Sequence, residues 1–267
     1  MDYLLYIAVG AFAGFISGLF GLGGGIIIVP ALILTFTANE FPVEVVTHLA
    51  IGTSLATIVV TSITSTLTHH QKNAVRWDLA AWLVPGILIG AVFGGLLAVR
   101  LSGNTLQLLF GCLMIFVAIQ LLKASADTRM SQLITPCLAA GGIFIGAISA
   151  LFGIGGGTLT TPLLTRFGIK IRQAVGTSAA CGLPIAIAGG STYLIFGLGN
   201  EALPKGSLGY IYIPAWLGMI LTSMPFARLG ALIAHRVNEQ LLKQLFAGTI
   251  FVFGVRFIWL NAQATIG

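Results

Sequence analysis

Long apolar runs alternate with short polar interruptions along the whole chain. The runs at 43–68, 79–99, 104–122, 174–198, 209–234 and 241–260 each approach or exceed the ~20 residues that carry a helix across a bilayer. Each therefore predicts a membrane-spanning helix. Two further apolar stretches are broken in the same way, by LFGLGGGIIIVP at 19–30 and by LFGIGGGTLTTP at 151–162. Glycine is among the poorest helix formers, so both predict a discontinuous or re-entrant element at membrane depth. Composition agrees: 57% of the residues are hydrophobic and 7% charged, where a soluble domain carries about 25% charged residues. The pattern predicts an all-α polytopic membrane protein forming one membrane domain over residues 1–267, with no soluble domain beside it. The N-terminal MDYLLYIAVG lacks the positive flank of a signal peptide and is expected to be retained.

The broken stretches belong to an internal duplication. A shift of 132 residues lays Phe12, Gly14, Ser17, Leu19, Phe20, Gly21, Gly23, Gly24, Gly25 and Pro30 on Phe144, Gly146, Ser149, Leu151, Phe152, Gly153, Gly155, Gly156, Gly157 and Pro162. At a shift of 124, IGTSLA at 51–56 falls on VGTSAA at 175–180, and at 136 Arg100, Leu109 and Phe110 fall on Arg236, Leu245 and Phe246. The chain reads as two repeats, 1–122 and 133–260, joined by a linker at 123–132. Each has a glycine-broken first element followed by three transmembrane helices.

Charge decides how the repeats are related. If each broken stretch were one ordinary crossing, Lys72, Arg76, Lys123, Arg129, Lys205 and Arg256 would lie inside. Arg100, Arg166, Lys170, Arg172, Arg228, Arg236 and Lys243 would lie outside, which gives no orientation. If each broken element instead returns the chain to the side it came from, only Arg100, Lys205 and Arg256 remain outside, and the other ten satisfy the positive-inside rule. Each repeat then has an odd number of crossings, so the two are expected to be inverted. The net charge of +6 is spread over short loops and forms no nucleic-acid patch. Arg166, Lys170 and Arg172 are expected to anchor the cytoplasmic face, with a vestibule for anions as the alternative.

A broken backbone in hydrocarbon is tolerated only where protein or a water-filled cavity satisfies its polar groups. Glycine permits positive φ and close approach to the main chain. A helix restarting after the break presents unpaired N–H groups and the positive end of its dipole, which attract anions. Gly23, Gly24, Gly25, Gly155, Gly156 and Gly157 are therefore candidate substrate-binding residues for a small anion. Thr158, Thr53, Ser54, Thr177 and Ser178 join them as hydroxyl donors, with Thr160 and Thr161 nearby. Such hydroxyls also bond back to their own helices, which is the structural alternative. Gly10, Gly14 and Gly18, mirrored by Gly142, Gly146 and Ala150, form a small-residue stripe suited to helix packing. Neither glycine run matches a phosphate loop or a dinucleotide fingerprint.

His48, one turn before Gly52, is a candidate for proton coupling, with a polar helix end as the alternative. His69 and His70 read as solvated loop residues. Cys112, Cys137 and Cys181 match no metal spacing, and no nucleophile, base and orienting group assemble. No enzyme activity, metal or cofactor is expected; the expected partners are a small anionic substrate and membrane lipid, with homo-oligomerisation open.

LFGLGGGIIIVP with IGTSLA, and LFGIGGGTLTTP with VGTSAA, resemble the sulfite exporter TauE/SafE family of membrane permeases, over almost the whole chain. The resemblance implies a secondary transporter of small sulfur-containing anions, of the sulfite, sulfonate, sulfoacetate or thiosulfate class, in a prokaryotic inner membrane. Export follows from the family name. Organosulfonate uptake and a non-transporting scaffold or accessory subunit are the alternatives. Ile26, Ile27 and Ile28 stand where the second copy has Thr158, Leu159 and Thr160, which points to an asymmetric site.

Overall fold

The computed structural model describes residues 2–20, 24–123, 135–233, 248, 251–252 and 254–259. The first repeat contains α1 (Asp2–Phe20), α2 (Gly25–Ala38), α3 (Val43–Gln71), α4 (Trp77–Ala98) and α5 (Gly103–Lys123). The second contains α6 (Thr135–Phe152), α7 (Gly157–Arg166), α8 (Ile171–Gly197) and α9 (Ile213–Ile233). A small antiparallel hairpin, β1 (Ser207–Leu208) and β2 (Ile211–Tyr212), precedes α9. Among the described residues, five helices (α3, α4, α5, α8 and α9) are long and apolar enough to cross a membrane. On α4, Trp82, Ile89 and Phe93 are more than half exposed, a surface suited to lipid. The chain is thus a helical multi-pass membrane protein. The expected span at 241–260 and linker residues 124–132 lie largely or wholly outside the described residues.

Helix starts follow the local chemistry. Pro42 caps α3 with Glu44 in its first turn, and Asp78 sits in the first turn of α4, where a carboxylate meets the positive helix end. Small residues then set the packing. Gly10, Gly14 and Gly18 of α1 face Met219, Ser223 and Ala227 of α9; a Cβ on Gly14 would lie 2.5 Å from the Ser223 carbonyl oxygen. Gly86, Gly90 and Gly94 of α4 face Ala139, Ile143 and Ala147 of α6, while Gly142 and Gly146 face Leu83 and Ile87. Numbers rise together in both pairs, so α1 runs parallel to α9 and α4 to α6. The first helix of each repeat therefore packs on the fourth helix of the other. Ala150 packs against Gly189 of α8. The glycine stripes bring backbones together, as their spacing predicts.

Between these pairs, α3 and α8 cross at the centre. Gly52 lies beside Tyr193, Leu55 beside Gly189 and Gly190, Ser62 beside Gly182, and Ala74 beside Gly176. Numbers rising on α3 fall on α8, so these two corresponding helices run antiparallel. Leu49, Leu55, Ile58 and Tyr193 are fully buried there.

One expectation is corrected. His69 is not a solvated loop residue: α3 continues to Gln71, and His69 is buried on its last turn with Nε2 3.3 Å from the Gly18 carbonyl oxygen. The helix outlasts its apolar run because its polar end packs on α1. His70 is exposed and accepts a hydrogen bond from Trp77 Nε1 at 3.1 Å.

Candidate functional site

The two glycine elements break in different ways. α6 ends at Phe152; Gly153 takes φ +68°, and the Ile154 N–H donates to the Ser149 carbonyl at 2.9 Å. This left-handed wrap closes a helix C-terminus. Ile154 and Gly155 are buried and non-helical, Gly156 has helical backbone angles, and α7 starts at Gly157. In the first repeat Gly24 takes φ +75° and its carbonyl accepts the Ile27 and Ile28 N–H groups at 3.0 and 3.1 Å. Positive φ, expected within each glycine triplet, falls on Gly153 in the second copy, because the turn forms at the end of α6 and Gly156 already belongs to the next helix. Gly23 lies outside the described residues.

Gly24 sits against Ala13, where an added Cβ would be 2.9 Å from the Ala13 carbonyl oxygen. α1 runs on to Phe20, so the chain has doubled back before α2 starts. Gly25 of α2 lies beside Ile58 of α3, and the short 39–42 link turns α2 antiparallel to α3.

The two breaks touch. A Cβ on Gly25 would strike the Gly153 carbonyl oxygen and lie 2.9 Å from Ile154 Cα. At the start of α7, a Cβ on Gly156 would meet Ile185 Cδ1 at 3.0 Å and the Gly182 nitrogen and Ser178 carbonyl at 3.4 Å. A Cβ on Gly182 would in turn lie 2.7 Å from Ser62 Oγ and 3.8 Å from the Gly156 nitrogen. Thr158, Thr160 and Ser62, carried on or beside this helix start, are 1%, 0% and 2% exposed. Their hydroxyls have no hydrogen-bond partner among the described residues. An unsatisfied buried polar group costs about 1–3 kcal/mol, so such a group of hydroxyls asks for a ligand or water.

The other expected donors are engaged within the protein. Thr53 Oγ1 donates to the Leu49 carbonyl at 2.6 Å and accepts the Tyr212 N–H at 2.9 Å. Ser54 Oγ donates to the Gly153 carbonyl at 2.8 Å, pinning the second break. Thr177 Oγ1 accepts the Arg76 N–H at 3.0 Å. Ser178 Oγ donates to the Ala174 carbonyl at 2.7 Å and lies 2.8 Å from Thr161 Oγ1. His48 is buried at the end of α4, its Nε2 3.2 Å from the Ala98 carbonyl and 3.1 Å from that of Leu101, and its ring 5.3 Å from that of Tyr210.

Ser62 was missed because it lies beyond the GTS motif, where the repeats diverge. The pairing of His69 with Tyr193 was also missed. Tyr193 donates its hydroxyl to the Leu151 carbonyl at 3.2 Å, as His69 holds Gly18. Carrying the 124-residue shift past the motif would have paired the two.

The two breaks thus meet inside an apolar bundle. The model of the family "Sulfite exporter TauE/SafE" matches residues 6–257. The chain belongs to this family. Its TauE/SafE relatives include a probable membrane transporter protein of Haemophilus influenzae, 39% identical, covering 94% of this chain and 96% of the relative. A probable membrane transporter protein of Methanocaldococcus jannaschii is 29% identical over 94% of this chain and 93% of its own length. The probable membrane transporter protein YunE of Bacillus subtilis is 27% identical over 97% and 98%. No solved structure matches the chain at a significant level. This TauE/SafE protein is a membrane transporter.

Proposed function

We propose that this transporter carries a small sulfur-containing oxyanion, of the sulfite, sulfonate, sulfoacetate or thiosulfate class, outward across the inner (plasma) membrane. The anion is held where the two glycine breaks meet. The observation that carries the reading is the contact of Gly25 with Gly153, together with the partnerless hydroxyls of Ser62, beside Gly182, and of Thr158 and Thr160 in the first turn of α7. Among the described residues, no Lys, Arg, Asp or Glu is buried. With no buried Lys or Arg among them, an anion relies on main-chain N–H groups at the α7 start and on hydroxyls. Ile26 and Ile28, fully buried at the equivalent positions of α2, give the first half an apolar wall.

The repeats are inverted in this reading, and the transporter works by exposing one central site to each side in turn. The antiparallel crossing of α3 and α8 and the exchanged pairing of α1 with α9 and α4 with α6 support this. The loop around Arg76 packs on the start of α8 just after Lys170. Cysteines at Lys72 and Lys170 are therefore expected to react with an impermeant maleimide from the cytoplasmic side alone. Labelling from opposite sides overturns the inversion.

Purified protein in liposomes is expected to give saturable flux of at least one of sulfite, thiosulfate, sulfoacetate or taurine, and a rise in melting temperature with the same anion. Thr158→Val is expected to weaken that anion about fivefold, the equivalent of one hydrogen bond. Absence of flux with all four in folded protein supports the scaffold reading, and inward flux in intact cells the uptake one. His48 is the proposed proton-coupling residue. His48→Gln keeps an N–H donor for Ala98 and Leu101 and is expected to leave the fold intact while flattening the pH dependence of flux. An unchanged pH profile removes His48 from that role.

A further inference from the structure

The GTS motifs, offered by the sequence as ligand donors, are built into the two ends of the molecule in the same way. At one end, Gly52 lies against the Tyr210 carbonyl, where any Cβ would collide, and Thr53 Oγ1 accepts the Tyr212 N–H at 2.9 Å. At the other, a Cβ on Gly176 would lie 2.6 Å from the Ala74 carbonyl oxygen, and Thr177 Oγ1 accepts the Arg76 N–H at 3.0 Å. In each case the glycine seats a carbonyl and the threonine takes the N–H two residues on. Each latch ties α3 or α8 to the link between the central helix and the fourth helix of the other repeat. The neighbouring serine differs between the ends: Ser54 bonds the Gly153 carbonyl at the second break, whereas Ser178 contacts Thr161, within the α7 helix that follows that break. Loop, latch and break thus follow one another through Gly52, Thr53 and Ser54, and loop, latch and α7 through Gly176, Thr177 and Ser178.

We propose that Gly52–Thr53 and Gly176–Thr177 are the two gate latches of the transport cycle. Each closes one end of the pathway, and the adjacent serine couples that closure to the centre, Ser54 through the Gly153 break and Ser178 through α7. Both latches are closed in this structure. Opening the site to one side requires that side's latch to release its extended segment (210–212 or 74–76) while the other holds. The ends are unequal. The 198–212 link adds the packed rings of Phe36, Phe41 and Tyr212, and Tyr210 against Tyr193 and His48. The five-residue link 72–76 is flanked, among the described residues, by a single ring pair, His70 and Trp77, with centroids 5.6 Å apart. The Thr177 end is therefore the one that opens more readily.

The test needs no substrate. Ile58→Cys, placed where α3 meets Gly25, is probed with membrane-impermeant maleimide in right-side-out and inside-out vesicles. With both latches intact, labelling is slow and favours the Thr177 end. Thr53→Val, which keeps the shape and removes the acceptor, is expected to raise labelling from the Tyr212 end about 3- to 10-fold, the weight of one hydrogen bond. Thr177→Val does the same from the Arg76 end. Gly52→Ala and Gly176→Ala, which block the seats sterically, are expected to reproduce the two patterns. Thr53→Ser and Thr177→Ser retain the acceptor and are expected to restore the unmodified pattern, which separates latch release from misfolding. The proposal is overturned if both valine variants open the same side, or if neither changes labelling. It also fails if the serine variants label like the valine ones. Loss of anion flux with correct, opposite labelling would count against the proposed cargo and leave the latches standing.

Discussion

Gly25→Ala is expected to remove anion flux from reconstituted protein and to lower its stability, while Gly156→Ala removes flux from a protein that still folds. The difference lies in what each new methyl meets. At Gly25 it collides with the Gly153 carbonyl and approaches Ile154 Cα and Ile58; two of these are main-chain atoms fixed by the α6 wrap. Overpacking of this kind costs about 1–3 kcal/mol, with more when backbone must shift. At Gly156 the nearest atom is Ile185 Cδ1 at 3.0 Å, the far end of a flexible side chain, and φ is −56°. Alanine is tolerated there within about 1 kcal/mol, yet its methyl narrows the space beside Ser62 and the first N–H groups of α7. Thermal melting in detergent and liposome flux measure the two effects separately. Normal flux in both variants would show that the junction of the breaks does not hold the anion.

Gly90→Leu is the second large effect expected, in this case on assembly. Gly90 faces the Ile143 carbonyl of α6, and even a methyl would overlap it. Leucine must push α4 and α6 apart, separating repeats held together largely by backbone proximity. A loss of about 3 kcal/mol is expected, read as a fall in melting temperature of roughly 6–12 °C. Val92→Ala, two residues away and 43% exposed, is the control and is expected to change stability by no more than about 0.5 kcal/mol. Equal melting temperatures would mean that the α4–α6 contact carries little of the fold.

Much of the architecture was legible in the chain because bilayer length and glycine spacing are local signals. The runs beginning at 43, 79, 104, 174 and 209 became α3, α4, α5, α8 and α9, and the stripe of Gly10, Gly14 and Gly18 reported its own packing face. The roles of hydroxyls were not legible. Thr53 and Thr177 gave no sign of the segments they seat, since Tyr212 and Arg76 lie 159 and 101 residues away in sequence. Ser62 looked like any polar residue on a membrane helix until Gly182 and Gly156 arrived beside it from the other repeat. His69 misled for a related reason: two adjacent histidines before a lysine suggest water, and only the arrival of α1 makes one of them internal.

The exchanged pairing of first and fourth helices bears on biosynthesis. α1 leaves the ribosome first, but its glycine face is covered only when α9, some two hundred residues later, has been made. Half a chain ending at Lys123 would expose two unmatched grooves to lipid, one on α1 and one on α4. Insertion must therefore store the early helices in a provisional arrangement until α6 covers the groove of α4 and α9 that of α1.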